Sequence, residues 1–289
     1  MTGTNTTARM AYLHALTPVH SGTGQAASVI DLPIAREKAT GWPLIPASGL
    51  KGVLRAAFGG ESDEEKREAD AMFGTPEHGG ALCFTDQRIL CLPVRSFFGT
   101  FAYVTCPLAL RRFARDAVAL GAAAPFVERD VPEATAASIL VAGDSVLGHD
   151  EKVYLEDLDL AATPNEQAAS IANGFAGILF SLAPTDFTSR FAIVSDDVFA
   201  LLSETATEIT ARVKLEADTK TVVSGGLWYE EAVPAEAIFA GAVVLSDAAK
   251  RSGGSKFLAE MGTAERYVQL GGKASVGRGL CRFVLGGAA

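Results

Sequence analysis

Cysteine and histidine are scarce in this sequence, which excludes the commonest covalent and metal-based frameworks. The 289 residues contain four cysteines and four histidines. The cysteines show no C-x-x-C spacing, so neither a zinc site nor a disulfide framework is predicted. They are Cys83, Cys91, Cys106 and Cys281. We expect all four to be reduced thiols in the protein interior.

Long hydrophobic runs are also missing. No apolar stretch is long enough to span a bilayer, and residues 1–5 lack the basic and then apolar order of a signal peptide. We therefore expect a cytoplasmic protein with no membrane partner. The composition is that of a folded chain, because 48% of the residues are hydrophobic and the mean hydropathy is +0.22. The length suits one elaborate domain or two small ones, and no clear linker divides the chain.

An excess of positive charge is the third absence. The formal net charge is -9, whereas a nucleic-acid-binding domain is usually basic. Charge alone therefore favours an acidic cytosolic enzyme. The acidic residues concentrate, however, in residues 61–70, in residues 151–159 and near Glu230. The cations that could form a local basic groove are Lys51, Arg55, Arg111, Arg112, Arg115, Lys273 and Arg278.

The connection after the first predicted strand, residues 8–16, is unusually long. It extends to residue 47, whereas a strand-to-helix loop has roughly two to six residues. Loops of this length in compact domains are usually functional or disordered, and this one carries His20, Asp31 and Trp42. We therefore expect a functional loop. Without further information, Asp31 reads as a turn or cap residue.

The helix predicted to follow this loop has the features of an anion-binding terminus. Ser48 is expected to cap its first turn, and the neighbouring glycines let a polyanion approach the positive end of the helix dipole. Lys51 and Arg55 are four positions apart, so they share one exposed face of the helix.

A glycine-rich segment near the carboxyl end, residues 269–280, is a second candidate phosphate site. Lys273 and Arg278 lie five positions apart in it, and Gly272 and Ser275 stand close by. Such a segment exposes backbone amides and two cations to a phosphodiester. It lacks the G-x-x-x-x-G-K-[ST] spacing of a P-loop.

The rest of the chain alternates helical and strand-like patterns, which indicates an α+β fold. Ser62 and Glu65 form a capping-box pattern, and Pro107 and Gly121 mark the ends of another helix. Further helices are predicted over residues 166–182 and from Asp196. Strands are predicted over residues 81–84, 88–94, 191–194, 210–215, 221–231 and 237–245.

Three segments leave alternatives open. Residues 121–165 suggest an excursion from the core with a hairpin near Gly143, and their acidic clusters read as a solvated loop more readily than a metal site. The aromatic residues between 95 and 105 either pack in the core or offer a platform for bases. The three arginines of residues 111–115 either grip phosphate or pair with carboxylates.

Three segments resemble the RAMP superfamily of CRISPR RNA-binding proteins, and within it the repeated backbone subunit of the type III-B effector, the Cmr complex. They are HSGTG at 20–24, VIDLPIAREK at 29–38 and IPASGLKG at 45–52. The glycine-rich segment resembles the family's glycine-rich loop. Residues 85–88 through 111–113 extend the likeness with less specific motifs.

The resemblance implies a single RAMP domain over residues 1–289. Its core would be an RRM-like, ferredoxin-fold palm with inserted loops, at about residues 121–165. A protruding thumb hairpin, at about residues 209–231, would wedge between nucleotides of the duplex that guide and target form. Without the resemblance, the sequence of this segment predicts only an edge hairpin.

The resemblance also implies an activity and partners. Several copies would line a CRISPR guide RNA together with other Cmr subunits, and each copy would cut single-stranded target RNA at regular intervals. Asp31 matches the family's catalytic aspartate. With a divalent cation, Mg²⁺, it would help a 2′-hydroxyl attack the adjacent phosphate. The RNA-binding residues would be His20, Ser48, Lys51, Arg55, Gly272, Lys273, Ser275 and Arg278.

Two other functions compete with this interpretation. One is a structural guide-RNA-binding subunit in which Asp31 is idle. The other is a phosphate-binding metabolic enzyme, which the absence of a P-loop or dinucleotide fingerprint disfavours. Tyr229, Glu230 and Glu231 are candidates to assist an active site, although a solvated strand end is the simpler expectation.

Overall fold

Strand β1 (Ala8–Ala15) divides the protein core between the two faces of a sheet. Side chains alternate along a strand, so Ala11 and Leu13 enter one apolar cluster while Met10 and Tyr12 enter another. Residues of neighbouring strands divide in the same way. The sheet is therefore covered on both faces.

The computed structural model describes residues 8–24, 29–246, 258 and 266–287. Its helices are α1 (Ala47–Phe58), α2 (Asp63–Phe73), α3 (Pro107–Leu120), α4 (Glu166–Leu179), α5 (Pro184–Thr188) and α6 (Asp196–Thr205). Its further strands are β2 (Leu44–Ile45), β3 (Leu82–Phe84), β4 (Gln87–Arg95), β5 (Phe101–Thr105), β6 (Ser138–Val141), β7 (Gly148–His149), β8 (Lys152–Leu155), β9 (Leu158–Pro164), β10 (Phe191–Ile193), β11 (Glu208–Leu215), β12 (Val222–Ala232), β13 (Ile238–Leu245), β14 (Arg266–Gln269) and β15 (Leu280–Leu285).

One large mixed sheet organises these elements. Its strand order is β14-β15-β1-β13-β4-β5-β10-β6-β9-β8-β7, with β2 paired to β4 and β3 paired to β13. Most pairs are antiparallel, whereas β5 with β10 and β6 with β9 are parallel. Strands β11 and β12 form a separate two-stranded sheet. The predicted α+β class is confirmed as a mixed fold around this sheet.

Helices cover both faces. Helices α1, α2 and α6 contribute to one apolar cluster, where Trp42 meets Phe199 edge-on. Helices α3, α4 and α5 contribute to the other, where Phe175 lies against Tyr12 and Phe113. No helix in the described part of the chain is long and apolar enough to cross a membrane.

Local signals set the ends of two helices as predicted. Helix α2 begins with a complete capping box, in which the Glu65 amide donates to Ser62 Oγ and the Ser62 amide donates to Glu65 Oε2. Helix α3 starts at Pro107 and ends before Gly121, whose φ of 64° lies in the left-handed region. Glycine adopts this conformation without the steric cost that a Cβ brings.

The hairpin predicted near Gly143 is wrong. The chain turns instead between β7 and β8, where Asp150 and Glu151 have φ of 48° and 61°, and between β8 and β9, where Glu156 has φ of 47°. The acidic clusters of this region therefore occupy tight turns. Within the described ranges no group of three histidine, cysteine or carboxylate side chains is arranged to hold a metal ion.

The aromatic cluster around Phe175 of α4 should contribute strongly to the stability of the apolar layer that α3, α4 and α5 form on one face of the sheet. Phe175→Ala removes a ring that is 1% exposed, so we expect the free energy of unfolding to fall by about 3–5 kcal/mol, measured by urea denaturation. Leu182→Ala, at a side chain that is 100% exposed, is the control and should change it by less than about 0.5 kcal/mol. Equal losses in the two variants would contradict the assigned core.

Candidate nucleic-acid interface

The β11–β12 hairpin projects from the fold with most of its side chains exposed. Ala211 pairs with Tyr229 and Ile209 pairs with Glu231 in an antiparallel register. In β12, Gly226 and the last three residues are buried, and those three lie at the base of the hairpin. At this base the hairpin meets the long loop from one side and the glycine-rich segment from the other.

Asp31 lies on this base, against the edge of β12. The Tyr229 amide donates to Asp31 Oδ2 at 2.8 Å. Two backbone bonds flank this contact, from the Leu32 amide to the Tyr229 carbonyl and from the Glu231 amide to the Leu32 carbonyl. Asp31 is half-buried, and one carboxylate oxygen is used in holding its loop to the strand.

Glu231 fixes the same loop from beneath. It is 3% exposed, and its carboxylate accepts hydrogen bonds from the Ile34 amide at 3.1 Å, from Arg36 at 2.5 Å and from the Thr207 hydroxyl at 3.0 Å. Both oxygens of this carboxylate accept from protein donors. Glu231 therefore positions the loop that carries Asp31, and the expected solvated strand end is wrong.

His20 joins three segments at one point. Its Nδ1 lies 2.6 Å from the Glu231 carbonyl oxygen, and because a carbonyl only accepts, Nδ1 carries the proton. The His20 carbonyl oxygen accepts from the Gly272 amide at 3.0 Å. A Cβ on Gly271 would lie 2.2 Å from that oxygen, so glycine is required for this close approach. His20 is buried and links the loop, the hairpin and the glycine-rich segment.

Glu230 holds the glycine-rich segment to the hairpin. It is 4% exposed and accepts from Lys273 Nζ at 2.8 Å, from Trp228 Nε1 at 2.7 Å and from Arg212 Nε at 3.3 Å. Burial alone would raise the pKa of Glu230, but these donors lower it to about 2. Glu230 too is buried and ionised, and is not a solvated strand end.

Arg278 strengthens the same junction from the other strand. Its side chain is 13% exposed and donates to Glu208 at 3.0 Å and to Thr210 at 3.2 Å. Ser275 lies in a short 3₁₀ turn and is exposed. Of the predicted cations in this segment, Lys273 and Arg278 are thus both paired with carboxylates of the hairpin.

Helix α1 presents a more open surface. Its N-cap is Pro46, with no side-chain cap, so the predicted capping role of Ser48 is wrong. The first amide, that of Ala47, instead donates to the Asp86 carboxylate at 2.8 Å. Ser48 is exposed and Lys51 is half-buried.

Arg55 points away from a shared RNA-binding face. It donates to the Gly74 carbonyl at 2.6 Å and pairs with Asp70 of α2. This arginine therefore connects α1 to α2. In the described part of the chain Lys51 has no ion-pair partner, so it is the α1 cation available to a phosphate.

The arginines of α3 pair with carboxylates. Arg111 pairs with Glu133, Arg115 with Asp116, and Arg112 with Glu37. Hydrogen bonds from Arg112 hold the pKa of Glu37 at about 2. These ion pairs favour the interpretation in which the arginines of this helix pair with carboxylates. A paired arginine would have to lose its carboxylate before it could bind a phosphate.

The residues that sequence reasoning missed are Arg36, Thr207 and Asp86, together with the positioning roles of Glu230 and Glu231. Strand periodicity places Glu230 and Glu231 on opposite faces of β12. That signal predicts two separate environments for them. It does not reveal that the long loop near Ile34 covers Glu231 on one face while Lys273 of the glycine-rich segment covers Glu230 on the other.

The carboxylates at the hairpin base limit how a cation could be bound there. Of the carboxylates at the hairpin base, Glu208, Glu230 and Glu231 are paired with protein donors, and Asp31 has one oxygen engaged. Mg²⁺ is usually bound by one or two carboxylates together with substrate phosphates and water. The base therefore fits a cation that Asp31 and RNA hold jointly. A cage made of protein ligands alone does not fit.

The lowered pKa of Glu230 predicts a pH dependence. Its unfolded pKa is about 4.3 and its folded pKa is about 2, so its stabilising contribution is present above the unfolded value and is lost as pH falls toward the folded value. Glu230→Gln should lower the free energy of unfolding by about 1–3 kcal/mol at pH 7. The difference from wild type should shrink between about pH 5 and pH 2.

Urea denaturation across this pH range measures the difference. Asp218→Asn, at an exposed position of the hairpin tip, is the matched control and should show little effect. A Glu230→Gln difference that stays constant with pH would contradict the assigned ion pairs.

Comparisons with known proteins agree with one another. A model of the RAMP superfamily matches residues 12–282. The "CRISPR system Cmr endoribonuclease Cmr4" of Pyrococcus furiosus is 34% identical over 281 residues, with 94% of each chain covered. The "CRISPR system CMR subunit Cmr4" of Saccharolobus solfataricus is 22% identical, with 93% of each chain covered.

Solved structures give the same picture. Oligomeric Cmr4 from Pyrococcus furiosus superposes with a TM-score of 0.76 at 28% identity, covering 98% of both chains. A chain of the type III-B Cmr-beta complex bound to cognate target RNA has a TM-score of 0.77 at 21% identity, covering 96% of both chains, and shows the shared fold. The chain therefore belongs to the RAMP superfamily and, within it, to the Cmr4 family.

Proposed function

We propose that this chain is the guide-RNA-binding backbone subunit of a type III-B CRISPR effector complex, and that it cuts target RNA as an endoribonuclease within that complex. The full-length likeness to a Cmr endoribonuclease carries this proposal. Copies of the chain associate along the guide, in line with the oligomeric Cmr4 structure. Other Cmr subunits complete the complex, and we place it in the cytoplasm.

The strand order supports an RRM-like palm. The four strands β15-β1-β13-β4 are adjacent and antiparallel, which is the 4-1-3-2 order of a ferredoxin-like fold when β1, β4, β13 and β15 are counted in chain order. Helix α1 follows β1 in the first half. We treat the whole chain as one domain, with residues 121–165 as an insertion that extends the sheet from β6 to β9 and the β11–β12 hairpin as the thumb.

Two surfaces bind the guide in this proposal. Helix α1 offers Ser48, Lys51 and two exposed glycines, at which an added Cβ would meet open space, so an RNA backbone can approach closely. The glycine-rich segment offers Lys273 and the exposed Ser275. An RNA phosphate displaces Glu230 as the ion-pair partner of Lys273. Arg55, Arg278 and His20 support these surfaces through their protein contacts.

In this proposal Asp31 is the general base of the cutting step. Its unshared carboxylate oxygen accepts the proton of a target 2′-hydroxyl, whose oxygen attacks the adjacent phosphorus to form a 2′,3′-cyclic phosphate. The 5′-oxygen of the next nucleotide is displaced and takes a proton from water to leave as a hydroxyl. DNA lacks that hydroxyl, so RNA alone is cut. A bound Mg²⁺ would neutralise charge on the phosphate. The hairpin base contributes orientation, because the Tyr229 amide fixes the carboxylate.

One observation favours a second candidate function. Asp31 already serves as an acceptor for a backbone amide, which is a sufficient structural reason for an aspartate at this position. In that case the chain would only hold RNA, and another group would cut.

Asp31→Asn separates these functions. Asparagine keeps an oxygen that can accept from the Tyr229 amide but cannot act as a base, so we expect cleavage of complementary RNA by the assembled complex to fall by at least about 100-fold. Guide and target binding should remain within about twofold. The measurement is single-turnover cleavage with Mg²⁺ alongside a binding assay.

Asp186→Asn, at an exposed carboxylate on α5, is the control and should cut like wild type. Full activity in Asp31→Asn would assign the chain to the structural function. Loss of both cutting and assembly would show that Asp31 acts mainly in folding.

Guide binding gives a separate prediction. Lys51→Ala should weaken guide affinity and reduce the slope of log K against log salt by about 1, because one phosphate contact is lost. Lys273→Ala should behave in the same way. Lys152→Ala, on the far edge of the sheet, should leave both quantities unchanged. An unaltered salt slope in the first two variants would remove them from the guide site.

A further inference from the structure

A partly exposed aromatic patch lies on the β4–β5 turn and the β7–β8 hairpin, where Phe97 and His149 are exposed and Phe98 and Tyr154 are half-buried. We define the aromatic patch as Phe97, Phe98, His149 and Tyr154. Phe98 stacks on His149 with ring centroids 4.4 Å apart and an interplanar angle of 27°. Phe97 meets Phe98 edge-on at 5.0 Å and is 81% exposed. Exposed aromatic clusters of this kind are costly in water unless a partner covers them.

The backbone holds the patch in place. The Phe97 amide donates to the Tyr154 carbonyl at 3.1 Å, and the Glu156 amide donates to the Arg95 carbonyl at 3.0 Å. The Ser96 amide closes the turn onto the Thr100 carbonyl. The two loops therefore form one unit, and the rings lose little conformational entropy when a partner binds.

The surroundings of the patch carry more carboxylates than cations, although Arg95 is exposed beside it and Arg190 donates to the Gly99 carbonyl of the same turn at 3.0 Å. Residues 144–159 contain six carboxylates and one lysine. Asp159 lies opposite Tyr154 across the β8–β9 pair, and Asp150 is 85% exposed. The lysine of this segment, Lys152, is paired with Asp159 at 3.6 Å. This charge repels RNA and attracts a basic surface.

The patch is separate from the proposed RNA-binding surfaces. Strands β8 and β7 end the large sheet at the edge opposite β14 and β15, and the glycine-rich segment connects those last two strands. A partner on the patch can therefore remain bound while RNA occupies the other edge.

We propose that the aromatic patch docks a different protein subunit of the effector complex, through a surface that presents arginine or lysine among apolar side chains. This proposal rests on the proposed function. The rings receive the cations over their faces and the apolar side chains at their edges. The surrounding carboxylates pair with the same cations and set the orientation.

The test uses the chain co-produced with the other subunits of its effector complex and guide RNA. Phe97→Asp removes the most exposed ring, and Glu151→Lys reverses one charge of the rim. Val118→Asp, on α3, is the matched control because this side chain is 72% exposed. It lies away from the patch, since the neighbouring Asp116 pairs with Arg88, which is at the end of β4 opposite to Phe97. Native mass spectrometry gives the subunit composition.

We expect Phe97→Asp to weaken the binding of one subunit, other than copies of this chain, by at least tenfold. Glu151→Lys should weaken the same subunit to a smaller degree, and Val118→Asp should have no effect. Guide binding and the melting temperature of the isolated chain should be unchanged in all three.

Three results would overturn the proposal. They are a full subunit composition in Phe97→Asp, loss of copies of this chain alone, and an intact assembly that binds RNA less tightly. A wild-type complex that neither binds guide nor cuts would instead contradict the proposed function.

Discussion

Two adjacent buried carboxylates at the base of the hairpin hold the functional region together. Glu231 binds the loop that carries Asp31, and Glu230 binds the glycine-rich segment through Lys273. Because neighbouring residues of a strand point to opposite faces, one dipeptide joins two loops that approach from opposite sides. Each carboxylate is almost fully buried and satisfied by several donors, which is the condition under which buried charge is tolerated.

This arrangement explains how an acidic protein can bind RNA. Most of the cations that sequence reasoning assigned to RNA are neutralised within the chain, by Glu230, Glu208, Asp70 and the partners of the α3 arginines. In the proposed function, a phosphate that binds Lys273 has to replace Glu230 there, so the gain in affinity is a difference between two ion pairs. The net charge is a poor guide to binding in such a protein, whereas the local exchange of partners is informative.

Sequence reasoning predicted what depends on neighbouring residues. The capping box at Ser62 and the glycine after α3 determine helix ends through local hydrogen bonds, so both were readable. The cap of α1 was not predictable from neighbouring residues, because the first amide of the helix donates to Asp86 from a separate loop. The burial of Glu230 and Glu231 was missed for the same reason, since the groups that cover them come from distant parts of the chain. The family resemblance predicts a catalytic role for Asp31, whereas periodicity alone predicts a turn residue, and that role stays a prediction.

The central place of β1 in the sheet has a consequence for how the protein is made. This strand pairs with β13 and β15, so both of its partners are synthesised long after it. At about 5–20 residues per second, a ribosome needs roughly ten to fifty seconds to deliver them. During this interval both edges of an apolar strand lack their native partners, which makes the nascent chain a natural client for chaperones. The strand at the centre of the finished sheet is therefore exposed to wrong pairing during translation.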